Sequence, residues 1–265
     1  MNELQSALVD ILEQFLKICN LLDLKYYAAN GTALGAIKYG GFIPWDDDID
    51  VVMPRKDYEI FCEKAIEYLP SNIFVQNYKT DKNFPLFYTK LRNSDTTFVE
   101  NDVKHIDMNH GIYIDIFPLD SFPDRVATQK CLSIQLKFLR SAQFCSFDNS
   151  NRIYHKIFRL FGYHKKSQVV LFKMEKIIKK IKSNGNQCCD YSDRQGKGLF
   201  SWNVYGNGVL VNFEHLEIIV PEKIDEYLTY KYGNWKAELP KEKQQTHHNV
   251  CAYDLRKSYT EMNKK

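Results

Sequence analysis

The stretch Phe42-Ile43-Pro44-Trp45-Asp46-Asp47-Asp48-Ile49-Asp50-Val51-Val52-Met53 decides the fold. Pro44 favours an extended approach. Ile49, Val51, Val52 and Met53 have the character of a strand entering a core. Asp46, Asp48 and Asp50 are spaced by two, so an extended backbone puts them on one face and turns Asp47 away. Three carboxylates on one face repel each other and stay ionised at low cost only around a cation. Hard divalent ions prefer such oxygens, and Mg²⁺ is typically held by one or two carboxylates plus substrate phosphates. A solvated acidic loop is the bland alternative, and the strand residues that follow weigh against it. A calcium loop is a lesser rival, since the run lacks the central glycine and distal glutamate of an EF-hand.

Upstream, Leu4, Leu8, Ile11, Leu12, Phe15, Ile18, Cys19 and Leu22 recur at helical spacing, which predicts a helix over 3–22. Residues 24–29 read as a short strand. Asn30-Gly31-Thr32 reads as a turn, with Thr32 capping a helix to Tyr39 and Gly40-Gly41 ending it. Backbone N–H groups at such a helix start bind phosphate, so Gly31 and Thr32 are candidate phosphate ligands. Downstream, Pro54 opens a helix carrying Tyr58, Phe61, Ala65, Ile66 and Leu69, and strands follow near 73–76, 86–92 and 111–117. Asp115 lies mid-strand between Ile114 and Ile116, where an acid is expensive unless paired or liganding, so it is the expected distant partner of the cluster. Asp120 reads as a turn or helix-cap residue. Lys38, Lys90 and Arg92 are candidate phosphate partners, with plain surface charge the alternative for each.

The formal net charge of +3 hides an asymmetry. From Lys130 to Lys182 there are thirteen Lys or Arg and two acids, a net +11 against −8 for the remainder. This segment reads as two or three helices over about 128–183, broken near Asp148–Asn151 and Gly162 and closed by Asn184-Gly185-Asn186. A solvated basic surface is one reading of it, and docking on anionic lipid, as peripheral contact with an anionic membrane, or on glycan phosphate is the other. Nucleic acid is not an expected partner, because no recognised motif is present and the rest of the chain is acidic. Strands near 199–204 and 208–213, a helix after Pro221 and a polar stretch over 239–250 complete the chain.

With 265 residues, 44% apolar and 26% charged, the composition is that of an ordinary globular protein. The expected class is α/β (α+β), a mixed sheet flanked by helices with a basic helical insertion. The expected organisation is one catalytic unit over 1–265: a core over 1–127, the insertion over 128–185, and a C-terminal part over 186–265 that completes the site. The seven cysteines are odd in number and contain no C-x-x-C, which favours reduced thiols. Without a basic-then-apolar start or an apolar run of about 18 residues, the chain is expected in the cytoplasm, peripherally at the inner face of the membrane if the basic segment docks there.

Asn30-Gly31-Thr32-Ala33-Leu34-Gly35-Ala36-Ile37-Lys38 followed by Gly41-Phe42-Ile43-Pro44-Trp45-Asp46-Asp47-Asp48-Ile49-Asp50 resembles the signature of the LicD family, phosphotransferases of the nucleotidyltransferase superfamily. Lys90-Leu91-Arg92 resembles its K-x-R strand, and Gly111 to Asp120 its third-acid strand. Phe213-Glu214, Val220-Pro221, Tyr232-Gly233 and Leu239 to His248 resemble its C-terminal block. Lys38 stands where many members carry Arg, giving a point charge in place of a bidentate fork.

The resemblance implies a nucleotidyltransferase-like fold and transfer of phosphocholine from CDP-choline to a sugar of a bacterial surface glycan. Lipopolysaccharide or lipooligosaccharide is the implied acceptor, with teichoic acid the alternative. It implies Mg²⁺ or Mn²⁺ held by Asp46, Asp48 and Asp50, with Asp115 as general base or ligand of a second ion. A quaternary ammonium calls for an aromatic cage, for which Trp45 and Trp202 are candidates beside ordinary core packing. His247 and His248 are candidate metal or substrate contacts beside a plain surface pair. Transfer of glycerol, ribitol or ethanolamine phosphate by the same site, and a non-enzymatic membrane-surface protein, are the rival readings.

Overall fold

The structure is a computed structural model that describes residues 1–147, 153–162, 167–183, 185–193, 196–246 and 248–262. Helix α1 (Glu3–Leu21) starts at a reciprocal cap. Asn2 Oδ1 accepts the Gln5 N–H at 2.9 Å and Gln5 Oε1 accepts the Asn2 N–H at 3.0 Å. Its Leu8, Ile11, Leu12, Phe15 and Ile18 are buried in the main core, as their spacing predicts.

Strands β1 (Tyr27–Ala28), β2 (Asp50–Pro54), β3 (Ile73–Gln76), β4 (Thr89–Asn93), β5 (Thr97–Glu100) and β6 (Ile112–Ser121) follow. The central sheet runs β1-β2-β6-β4-β3. Only its β2–β6 pair is parallel; the other pairs along this path are antiparallel. Strand β6 is buried from Ile112 to Asp120, because neighbours cover both its edges and both its faces. Beyond β4 it also pairs with β7 (Gln187–Asp190), which carries β8 (Leu199–Ser201). The mixed sheet flanked by helices is the class expected from the sequence.

Helix α2 (Asn30–Tyr39) joins β1 to the acidic stretch, and α3 (Arg55–Lys64) follows β2. The basic segment forms α4 (Val126–Phe147), α5 (Ile153–Leu160) and α6 (Ser167–Lys179). Its expected break near 148–151, Lys165, Lys166 and Asn184 lie outside the described residues. Leu132, Leu136 and Leu139 of α4 meet Val170, Met174 and Ile178 of α6 in a small core of their own. The C-terminal part adds α7 (Trp202–Tyr205), the hairpin β9 (Val209–Phe213) with β10 (Leu216–Val220), α8 (Ile224–Tyr232), β11 (Val250–Asp254) and α9 (Tyr259–Met262). β11 pairs with β5 and so brings the chain end back beside the sheet.

Several local expectations change. Helix α2 starts at Asn30 behind Ala29, with no side-chain cap. Thr32 Oγ1 instead accepts the backbone N–H of Asp50 at 2.8 Å. The strand expected over 111–117 runs on to Ser121, so Asp120 is a buried strand residue and not a turn. What makes that tolerable is Arg55, whose Nε and Nη2 reach the two Asp120 oxygens at 2.8 and 2.6 Å. The strand expected over 199–204 stops at Ser201, which caps α7. The polar stretch over 239–250 ends in β11, which pairs with a partner strand about 150 residues upstream. All seven cysteines are free thiols. Among the described residues no helix is long and apolar enough to cross a membrane.

Candidate active site

The parallel register of β2 and β6 sets Asp50 directly beside Asp115. The antiparallel register of β6 and β4 sets Lys90 on the other side of Asp115. Lys90 Nζ lies 2.9 Å from Asp115 Oδ1, with both side chains almost wholly buried. The ammonium also sits 3.2 Å from the centroid of the Tyr113 ring, an attractive placement for a desolvated cation.

Before β2 the chain is irregular over 46–49 rather than extended. Asp46, Asp47 and Asp48 each bring a carboxylate oxygen within 4.8 Å of the others, so Asp47 does not turn away as strand alternation predicts. Its Oδ1 accepts from His248 Nδ1 at 3.0 Å. His248 Nε2 lies 3.9 Å from both Asp48 and Glu100. Asp50 is oriented by Asn30, whose Nδ2 donates to Asp50 Oδ2 at 2.9 Å. Asn30 has φ +45°, and its own N–H donates to the Tyr227 hydroxyl at 3.1 Å, fixing that turn. Gly31 is needed for a different reason: a Cβ there would sit 2.5 Å from Asp46 Oδ2.

Crowding sets the electrostatics. Burial first, then Asp50 and Asp47, push Asp46 up to about 7. Burial and then Asp46 push Asp48 up to about 8. Asp50 is pushed well above the carboxylate range by burial, Asp48 and Asp115. Burial also raises Asp115, while Lys90 opposes the rise. For His248 burial favours the neutral ring, but the Asp47 hydrogen bond and the Asp48 charge outweigh it and bring it up to about 9. These carboxyl groups meet with few cations among them, which is the donor set of a hard divalent ion.

The other expected residues sit as follows. Thr32 is buried and holds the start of β2. Lys38 Nζ donates to the Ala237 carbonyl at 2.7 Å and fastens the loop after α8. Arg92 is fully buried, its guanidinium donating to Gln76 and to the Gly111 carbonyl and stacking 4.5 Å from the Tyr113 centroid. Trp45 and Trp202 pack half-buried against the main core. His247 lies outside the described residues. Asn30, Asp47 and Glu100 also reach the site, and for Asn30 the sequence signal is its place in the quoted turn.

A cavity of ≈ 670 Å³ opens beside the cluster, bordered by Lys90, Asp115, His248, Glu100, Tyr88 and Phe144. It is large enough for a ligand with a diphosphate. Acidic side chains from the 46–49 loop and from β2 and β6 thus gather beside a helix start and a cavity, an arrangement suited to a phosphotransferase that grips a diphosphate through a metal ion. Residues 23–146 match the family described as LicD/FKTN/FKRP, nucleotidyltransferase domain. The lipopolysaccharide cholinephosphotransferase LicD of Haemophilus influenzae is 27% identical over 269 residues, 96% of this chain and 98% of that protein. An uncharacterized protein of Rickettsia prowazekii is 26% identical over 102 residues, 38% of this chain and 35% of that one. The chain thus carries a LicD-like nucleotidyltransferase domain over residues 23–146, and its similarity to a cholinephosphotransferase supports a phosphotransferase.

Proposed function

We propose that the chain transfers phosphocholine from CDP-choline to a sugar hydroxyl of a bacterial surface glycan of the lipopolysaccharide or lipooligosaccharide type. The observation that carries this reading is the cluster of Asp46, Asp47 and Asp48 beside the Asp50–Asp115 register of β2 and β6, in a chain that aligns nearly end to end with a cholinephosphotransferase. Asp46, Asp48 and Asp50 would hold Mg²⁺ or Mn²⁺, with Asp47 and Asp115 alongside. An ion held by these residues would supply neutralisation of charge on the donor diphosphate and on the departing phosphate.

The chain's own groups supply the rest. The first turn of α2, with Gly31 and Thr32, offers backbone N–H groups to the donor phosphates. Lys90 adds a fixed positive charge beside Asp115. The acceptor oxygen attacks the phosphorus that carries choline, and the bond from that phosphorus to CMP breaks. Asp115 takes the acceptor proton, its raised affinity for a proton suiting it to that task. His248 holds Asp47 and thereby the acidic loop. Arg92 and Lys38 act through position, the first under Tyr113 and the second on the 235–237 loop. Residues 1–127 supply the acids, 128–185 close the cavity through Phe144, and 186–265 add Tyr227 and His248. A nucleotide-activated donor implies a cytoplasmic reaction.

The test is mass spectrometry of lipooligosaccharide after incubation with the enzyme, a divalent ion and CDP-choline, with CDP-ethanolamine, CDP-glycerol and CDP-ribitol as competitors. A phosphocholine adduct formed in preference to the others is expected. An unmodified glycan, or a preferred adduct from another donor, overturns the reading.

A further inference from the structure

The basic segment carries a surface that the chemistry above does not use. On α6 and at the residue just after it, Lys173, Lys176 and Lys180 are spaced i, i+3, i+7 and are exposed, as are Val169 and Phe172. On α4, Ile134 and Phe138 are 69% and 49% exposed. The two helices meet there in a groove of ≈ 510 Å³ lined by Ile134, Phe138, Ile177, Lys173, Lys176 and Lys180. On α5 the polarity is inverted. Phe158 turns inward to the small core and meets the Phe138 ring at 5.1 Å. Ile157, Leu160 and Phe161, spaced i, i+3, i+4, face solvent at 50%, 84% and 66% exposure.

An apolar stripe ringed by lysines has a cost in water and a use at a particular kind of surface. We propose that the basic segment docks peripherally on an anionic lipid bilayer through the α4–α6 groove and the exposed apolar end of α5, with Leu160 and Phe161 entering the headgroup boundary and Lys173, Lys176 and Lys180 facing anionic headgroups. Charge selects this occupant. The segment is net +11 from Lys130 to Lys182, so two copies meeting through it would bring like charges together. A nucleic-acid duplex would satisfy the lysines and leave the apolar stripe in water. A bilayer offers both an anionic plane and an apolar layer beneath it.

The placement has a geometric consequence. Phe138 precedes Phe144 by six residues on the same helix, about 9 Å of rise. Phe144 borders the cavity beside Asp115. The helix that would meet the bilayer thus also lines the cavity. Lys179 takes no part in this face, because its ammonium is paired with Glu59.

The experiment is sedimentation of the full-length protein with vesicles of phosphatidylcholine alone or mixed with phosphatidylglycerol, across a salt series. Expected are binding to the mixed vesicles only and weakening as salt rises. K173E/K176E/K180E is expected to lose affinity by about a hundredfold or more. L160S/F161S is expected to lose about tenfold or more. Both variants should keep the wild-type circular dichroism and turnover on a soluble, delipidated acceptor. Equal binding to neutral vesicles, no binding at low salt, or unchanged binding by the variants overturns the proposal. So does a dimer that L160S/F161S dissociates, or capture by duplex DNA in place of vesicles. A failed phosphocholine assay alone would leave vesicle binding intact, so the two readings fail separately.

Discussion

Gly31 and Asp46 are in contact: a Cβ added to Gly31 would lie 2.5 Å from Asp46 Oδ2. The glycine is therefore required by the carboxylate, since its own backbone is helical. Helix propensity alone favours alanine there, by at most about 1 kcal/mol. G31A should then separate the two effects. Its melting temperature is expected to stay within a few degrees of wild type, while CMP release falls by about a hundredfold or more as Asp46 is displaced. Wild-type turnover in a folded G31A protein would show that Asp46 does not need its present position.

Asp48 meets Asp46, Asp47 and Asp115 electrostatically, and burial raises Asp46, Asp48 and Asp115. Its neutral isostere removes repulsion and an ion ligand together. D48N is expected to abolish CMP release, to weaken Mg²⁺ binding measured by calorimetry, and to leave the metal-free protein as stable as wild type or more so. Retained turnover would exclude Asp48 from the metal site.

The pH dependence follows from the same crowding. Unfolded carboxyls titrate near pH 4, whereas Asp46 and Asp48 are held up at about 7 and about 8 in the fold. Between those limits the folded chain holds more protons than the unfolded one, so its stability falls as pH rises. His248, brought up to about 9, acts in the same direction above pH ~6.5. Metal-free protein should therefore melt at a higher temperature at pH 5.5 than at pH 8.5. Added Mg²⁺ should raise the melting temperature more at the higher pH, where the carboxylates are ionised. A melting temperature that climbs from pH 5.5 to 8.5 without metal would contradict the buried acidic cluster.

What the sequence carried openly was local. Asp46, Asp48 and Asp50 stood out because carboxylates close in sequence must either be solvated or share a cation, and Asp115 because isoleucines flank it. Lys90 and Arg92 are also alike locally, two residues apart on one strand face over Tyr113. Their surroundings differ through residues no local pattern names: Lys90 meets Asp115, while Gln76 and the Gly111 carbonyl engage Arg92. Asp47 departs from its expected orientation for a related reason. Strand alternation does not apply over 46–49, and its partner His248 is 201 residues away. Asp120 looked like a turn residue because Arg55, which makes a buried strand position affordable, lies 65 residues upstream.

His248 offers a direct readout of that long-range contact. In metal-free protein its imidazole should titrate at about 9 by NMR, and D47N should move the midpoint down toward the ordinary value near 6.5. A midpoint near 6.5 in wild type would mean that the ring is not engaged by Asp47. Because His248 arrives just before β11, D47N should also loosen hydrogen exchange at Val250 to Asp254 more than at β2.

The Arg55–Asp120 pair tests how the basic segment is tied to the sheet. Arg55 grips Asp120 through two hydrogen bonds and also lies 3.5 Å from Glu175 of α6. Glu175 in turn meets Tyr78 and Lys79 from the loop after β3. Removing one member of a buried ion pair leaves the other charge uncompensated, at a cost of about 3–5 kcal/mol. R55M should therefore lower the urea midpoint substantially. D120N, which leaves a neutral amide beside Arg55 and Glu175, should cost less. The double variant R55M/D120N should recover part of the loss, since no unpaired carboxylate remains at position 120. Additive losses in the double variant would mean that the two side chains do not stabilise each other.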